Sequence, residues 1–391
     1  MCGIAGTIGN YKEHQLNAML TSQHHRGPDA TGKYVDPNLA ALGHNRLAII
    51  DLSEQANQPF LDPSGRYVLV FNGEIYNYIE LKEELQNDYD FKTASDTEVL
   101  LAAYIKWGAT CLSRLNGMFA FAIWDNQEKM LFAARDRFGV KPFYYHCNQN
   151  GFYFASEIKA LHAAEIPKIP NEKVWASYFA YGSYGNPDET FCDGIEQLPG
   201  GHYLEYKNQK LTLKKWYFFV EEVAKQPKNL TYKEAKEQYL ALLKDSIKLR
   251  FRADVPVGFN ISGGLDSSVL LALVNLQENG KDNFNIREGV PPSEPVLSGV
   301  EVGVRGLINA YTFYTNNSDY DELPWVEQMI AKTRNPLTKV LLQADEVPDL
   351  AQKMAWQQDE PYGGIPTLAY AKIFEQARKD KVLVLLDGQG M

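Results

Sequence analysis

"NISGGLDSSVL" (residues 260–270) decides the fold of the second half of the chain. It continues "VPVGF", which reads as a buried strand, and runs into "SSVLLALVNLQ", which reads as a helix. Two glycines between a strand and a helix let backbone N–H groups approach a ligand at a helix N-terminus, where an anion is favoured. Ser262, Ser267 and Ser268 add hydroxyl donors. The pattern is a phosphate cradle without the lysine of a P-loop, and Asp266 stands where it could hold magnesium beside the phosphates. A short glycine-serine motif is often no more than a turn. Here the flanking strand and helix supply the context that phosphate binding requires.

Working outward, "INAYTFYT" (308–315), "LTKVLLQ" (337–343) and "KVLVLLDG" (381–388) read as further strands. They alternate with helices such as "LPWVEQMIAKT" (323–333), behind a long amphipathic helix at "TYKEAKEQYLALLKDSIKLRF" (231–251). Strands alternating with helices predict an α/β domain with a parallel doubly wound sheet over 230–391. Residues 1–217 read differently. "GMFAFAIWD" (117–125) with "KMLFAARDRFG" (129–139), and "PFYYH" (142–146) with "GFYFASE" (151–157), predict hairpins. "YVLVFNGEIYNY" (67–78) predicts a strand that breaks at the turn-forming pair Asn72-Gly73. "SDTEVLL" (95–101) predicts a helix opened by a capping box from Ser95 to Glu98. These elements predict an α+β domain of stacked antiparallel sheets with outer helices. "VEEVAKQPKNL" (220–230), charged and holding a proline, reads as the linker.

The 391 residues suit two domains, and 45% hydrophobic with 23% charged residues is a globular composition. A net charge of −10 excludes a nucleic-acid backbone as the main partner. The start of the chain has no basic segment leading an apolar one, and no run is long enough to span a membrane. A cytoplasmic protein with no membrane partner is expected. Cys2, Cys111, Cys147 and Cys192 form no CxxC pair, so neither a disulfide framework nor a zinc site is expected. Cys2 stands out. If Met1 is removed, it carries a thiol and a free α-amine, a nucleophile and a base on one residue. A small residue tolerated at a processed terminus would look the same.

"CGIAG" (2–6), "HRGPD" (25–29), "HNRLAIIDLS" (44–53), "FNGEIYNY" (71–78), "SDTEVLL", "NGMFAFAIWD" (116–125), "RDRFGVKPFYY" (135–145), "FASEIKAL" (154–161) and "PGGHYLEY" (199–206) occur in order on one chain, followed by "SGGLDSS". Together they resemble the glutamine-hydrolysing asparagine synthetases. The resemblance is nearly continuous over the first 280 residues and resumes at Ile308. It implies an N-terminal-nucleophile (Ntn) hydrolase-like class II amidotransferase domain and an adenine nucleotide alpha hydrolase-like ATP domain. It further implies that Cys2 attacks the glutamine amide, with its α-amine as base and Asn72 and Gly73 as the oxyanion hole. Arg46, Leu47, Ala48, Ile49, Ile50, Asn72, Gly73, Glu74 and Asp96 would form the glutamine pocket. Within it Arg46 takes the substrate carboxylate and Asp96 its ammonium. ATP, with Mg2+ at Asp266, would be held by Ile261, Ser262, Gly263, Gly264, Asp266, Ser267, Phe313, Asp387 and Gly388. It would activate aspartate as β-aspartyl-AMP for attack by ammonia. A homodimer is among the expected partners. "HHRGPD" and "RDRFGVKP" read as structural loops around the pocket.

Two features depart from the family. Residues 281–307 are rich in proline and glycine and lack periodicity, leaving open an ordered flap, a disordered insertion or a foreign segment. The chain also stops at "LLDGQGM", ahead of acidic residues and helices that the family carries. The expectation is a truncated chain that hydrolyses glutamine and makes little or no asparagine. The alternatives are another class II amidotransferase, which would lack SGGLDSS, or a fragment that binds glutamine or ATP without turnover.

Overall fold

The computed structural model describes residues 1–9, 12–37, 39–226, 229–276, 308–317 and 321–388. The atypical segment 281–307 and the last turn, 389–391, lie outside them. The chain divides into two units, Met1–Pro227 and Lys228–Met391. No helix among the described residues is long and apolar enough to cross a membrane.

The strands of the first unit are β1 (Gly3–Gly9), β2 (Ala30–Asp36), β3 (Ala40–Arg46), β4 (Phe60–Leu61), β5 (Tyr67–Ile75), β6 (Gly117–Asp125), β7 (Met130–Arg135), β8 (Tyr144–Asn148), β9 (Gly151–Ala155), β10 (Glu196–Gln197), β11 (His202–Lys207) and β12 (Lys210–Lys215). They build two six-stranded sheets, ordered β10-β8-β9-β1-β3-β2 and β12-β11-β7-β6-β5-β4. The pairings named here, β6–β7, β8–β9, β1–β3 and β1–β9, are antiparallel. Its helices are α1 (Glu13–Ser22), α2 (Tyr78–Leu85), α3 (Asp96–Trp107), α4 (Ile158–Ala163), α5 (Glu172–Tyr181) and α6 (Phe219–Ala224).

Period-two alternation stacks these layers. On β5, Val68 and Val70 enter a core shared with Ile4, Ile8 and Leu42 of the facing sheet. Leu69 and Phe71 point the other way, into a core with residues of α2 and α3. On the far side of the first sheet, Ala5 and Ala41 pack with Leu16 and Met19 of α1 and Leu161 of α4. Two sheets therefore lie face to face with helices outside.

Three local expectations are corrected. Asn72-Gly73 is no turn: β5 runs through it, with Asn72 opposite Ala120 and Gly73 opposite Phe119. Pairing along the whole of β6 overrides the pair's turn preference. A Cβ at Gly73 would lie 2.3 Å from Met118 O, so the glycine serves close strand approach. Ser95 does cap α3, accepting from Thr97 N at 3.1 Å. Glu98 closes no box, because its carboxylate is taken by the N–H groups of Lys92 and Thr93 and the Thr93 hydroxyl. The expected linker holds a short helix, α6, over part of its length.

The second unit contains α7 (Tyr232–Arg250), β13 (Val257–Asn260), α8 (Leu265–Leu276), β14 (Ala310–Tyr314), α9 (Leu323–Thr333), β15 (Leu337–Leu341), α10 (Val347–Gln358), α11 (Ile365–Lys379) and β16 (Val384–Leu386). The order β15-β14-β13-β16 is parallel throughout. The chain steps outward from β13 to β14 and β15, then returns to the other side of β13 at β16. That reversal opens a crevice at the carboxyl ends of β13 and β16, where ligands of open α/β sheets bind.

Candidate active site

Two sites emerge, one in each unit. The first follows from the alternation already described. Ile4 and Ile8 of β1 face the inter-sheet layer, so Cys2, two residues before Ile4, is directed to the same side. Leu42 of β3 and Val68 and Val70 of β5 face that layer too. The same alternation brings Arg46 and Asn72 to it. Sheet register completes the approach: Gly3 pairs with Asn45, which sets Cys2 beside Arg46.

The Cys2 thiol lies 3.4 Å from Leu47 N and 3.5 Å from Leu47 O, held by the loop that leaves β3. That loop is itself fixed, since Ala48 N donates to Asp29 Oδ2 at 2.9 Å, and Ile50 is buried. Arg46 is buried, and its guanidinium donates to Ser53 O and Asn57 Oδ1 at 2.7 and 2.8 Å and to Asp51 O. Asp96, at the first turn of α3, accepts from Ile75 N at 2.8 Å. Burial pushes its carboxyl up to about 6. Asn72 is 1% exposed, and neither its Nδ2 nor its Oδ1 has a hydrogen-bond partner. A buried amide with both ends unpaired is costly, and on the face that Cys2 shares it is free to meet a ligand.

Electrostatics tie these groups together. Burial pushes the Cys2 thiol up, the α-amine charge pulls it back, and Glu74 and Lys141 act on it with opposite sign. Arg46 is drawn down by burial and feels Cys2 and Asp96. The Met1 side chain is exposed but its α-amine is enclosed. Burial, with the charges of Arg26 and Lys141, lowers that amine to about 5.

The sequence reading missed what anchors Cys2. Arg26 Nε donates to Cys2 O at 2.8 Å, and Arg26 Nη1 donates to Glu157 Oε1 at 3.0 Å. Glu157 also receives His25 Nε2 at 3.0 Å and Lys159 Nζ at 2.7 Å, and these partners hold its carboxyl down at about 2 despite burial. Next to it, Ser156 Oγ accepts from Ile4 N and Ser156 N donates to Ile4 O, both at 3.0 Å. Both "HRGPD" and "FASE" were visible as motifs. That they meet at residue 2 depends on β1 pairing with β9, which no local pattern reveals.

The second site is a cavity of about 340 Å³ in the crevice at β13 and β16. Ser262, Gly264, Asp266, Ser267, Asp387 and Gly388 line it, joined by Tyr370 of α11. The serines organise one another: Ser267 Oγ lies 3.0 Å from Ser262 Oγ, and Gly264 N donates to Ser262 Oγ at 3.3 Å. A Cβ on Gly388 would lie 2.7 Å from Ser267 N, so the turn after β16 rests directly on the start of α8. The remaining expected residues sit off the wall. Ile261 is buried in the core with its N–H on Tyr311 O. Gly263 N donates to Glu322 Oε2 at 2.8 Å. The Phe313 ring stands edge-on to Tyr370, one ring back from the cavity.

Comparison with known proteins gives two family matches: glutamine amidotransferase domain over residues 1–217 and asparagine synthase over 238–390. A Methanocaldococcus jannaschii protein provisionally named glutamine-hydrolysing asparagine synthetase 2 is 34% identical over 414 residues, covering 100% of this chain and 74% of that one. Glutamine-hydrolysing asparagine synthetase 3 of Bacillus subtilis is 31% identical over 370 residues, covering 92% of this chain and 57% of the relative. Among solved structures, glutamine phosphoribosylpyrophosphate amidotransferase from B. subtilis is 17% identical with a TM-score of 0.43, over 87% of this chain and 81% of that one.

Proposed function

Because the chain belongs to the family of glutamine-hydrolysing asparagine synthetases, we propose that it takes ammonia from glutamine at Cys2 and uses ATP to pass it to aspartate. Residues 1–217 are the glutaminase domain and 230–391 the ATP domain. The observation that carries the first half is the buried, unpartnered Asn72 amide on the face that Cys2 shares. Once Met1 is removed, the Cys2 α-amine takes the thiol proton as sulfur attacks the side-chain amide carbon of glutamine. The Asn72 Nδ2–H and the Gly73 N–H meet the oxyanion. As the tetrahedral adduct collapses, the C–N bond breaks and the nitrogen leaves as ammonia, carrying that proton. Water then cleaves the thioester to give glutamate. Arg46 takes the substrate α-carboxylate, and Asp96 and Glu74 face its α-ammonium. The loop Leu47–Ile50 forms the wall against which the thiol rests.

In the second domain Ser262, Gly264, Ser267 and Gly388 cradle the phosphates of ATP, and aspartate is activated as β-aspartyl-AMP with loss of pyrophosphate. Among the described residues no three metal-binding side chains cluster. Asp266 and Asp387 nonetheless suit a magnesium ion that takes its other ligands from phosphate and water. Such an ion neutralises phosphate charge. A cytoplasmic location and a homodimeric state are part of this proposal. The test measures glutamate and asparagine separately, with glutamine or ammonia as nitrogen donor. Glutamate release lost in Cys2→Ala, with any ammonia-dependent asparagine formation by the parent kept, supports the reading. Glutamate release at the parent rate in Cys2→Ala refutes it.

A further inference from the structure

Lys141 lies in "RDRFGVKP", read from sequence as a structural loop, and the structure separates its main chain from its side chain. The loop spends its charged residues on backbone. Arg135 donates to Lys141 O, Gly139 O and Leu198 O at 2.6 to 2.7 Å. Asp136 accepts from Phe138 N, Val140 N and Lys141 N at 2.9 to 3.1 Å, and from Phe119 N on β6. Every one of these bonds fixes where Lys141 begins. Its side chain takes no part in holding the loop. It runs inward, 5% exposed, to place Nζ 3.2 Å from Met1 Sδ. Among the described residues no carboxylate lies within 4.0 Å of that ammonium. Once Met1 is removed, as the proposed function requires, a buried cation loses its partner beside the nucleophile.

We propose that Lys141 is the resident cation of the nucleophile's pocket, held rigidly by its loop to stabilise negative charge on the Cys2 sulfur as it attacks. An ion buried without a partner is costly, and a fixed charge aimed at developing charge is an efficient use of it. Burial draws the Lys141 ammonium down, and Arg26 adds to that, while Glu74, Cys2 and Asp136 act to keep it charged. Asp136 is committed to four backbone N–H groups, and Arg26 repels rather than pairs. Lys141 and Glu74 act on the thiol with opposite sign, which agrees with this role. The inference rests on Cys2 being the nucleophile, and its test is read without glutamine.

The test uses the full chain with Met1 removed, verified by intact mass, and follows iodoacetamide alkylation of Cys2 across pH by peptide mass. Carbon–sulfur bond formation with loss of iodide reports the thiolate directly. In Lys141→Met the pH midpoint of alkylation rises by about one unit, roughly a tenfold loss of rate at pH 7, and Lys141→Arg restores most of it. Lys141→Gln gives the same reading if Lys141→Met does not fold. An unchanged midpoint in the neutral variants, or an Arg variant shifted as far as they are, overturns the proposal. Loss of glutaminase activity in Lys141→Met with an unmoved midpoint also overturns it.

Discussion

Burial of Asp96 comes at a cost to stability. A carboxyl that burial holds near 6 in the fold, against 3.8 when unfolded, binds its proton more tightly in the folded state. Stability therefore falls as pH rises from about 4 to about 6. Asp96→Asn removes that cost. Its thermal midpoint at pH 7 should equal or exceed the parent's, by on the order of 1–3 kcal/mol in stability. Its glutamine KM should rise roughly 10- to 150-fold, as expected when a substrate charge loses its hydrogen-bonded partner. A midpoint well below the parent's would show that the carboxylate is structural. Glu157 has the opposite sign. Held at about 2 against 4.5, it stabilises the fold above about pH 4.5, and that contribution is lost as pH falls toward 2. Glu157→Gln leaves Arg26 without its carboxylate and loosens the Cys2 carbonyl. A kcat for glutamate release lower by about tenfold with an unchanged KM is expected, because the damage lies in orientation.

Elements were more legible than the contacts between them. The hairpins β6–β7 and β8–β9 and the strand-helix alternation of the second unit follow from period and turn chemistry, which act over a few residues. Arg46, Asn72 and Asp96 stood out through the family resemblance, since each lies in one of the strings that carry it, and Cys2 also through its place at the second position. Asn72-Gly73 misled because a turn-forming pair was judged without the partner strand that straightens it. Arg26, Glu157 and Lys141 were passed over because their roles depend on residues 24 to 140 positions away in sequence. Gly388 tests the crevice at this scale. A methyl placed 2.7 Å from Ser267 N forces the turn after β16 away from α8. Gly388→Ala should weaken ATP binding by tenfold or more in equilibrium titration and leave glutamate release untouched. Equal loss of both would mean general unfolding.

Each unit has its own cores: among the described residues, three apolar clusters lie in the first and two in the second. Calorimetry should resolve two transitions, one raised by a glutamine analogue and the other by ATP, each by about 2.7 kcal/mol at a hundred times Kd. A single transition raised by both ligands would refute that independence. The anchoring of β1 also puts maturation on a clock. Ile4 is held by Ser156, 152 residues later, and Arg26 grips Cys2 with the help of Glu157. Until that part of the chain has left the ribosome, the first residues have nothing to dock on, and an aminopeptidase can reach Met1. Once it arrives, the amine is enclosed. The cut at Met1 that the proposed function requires therefore belongs to the period of synthesis, and a chain folded with Met1 in place should resist trimming that its unfolded form accepts.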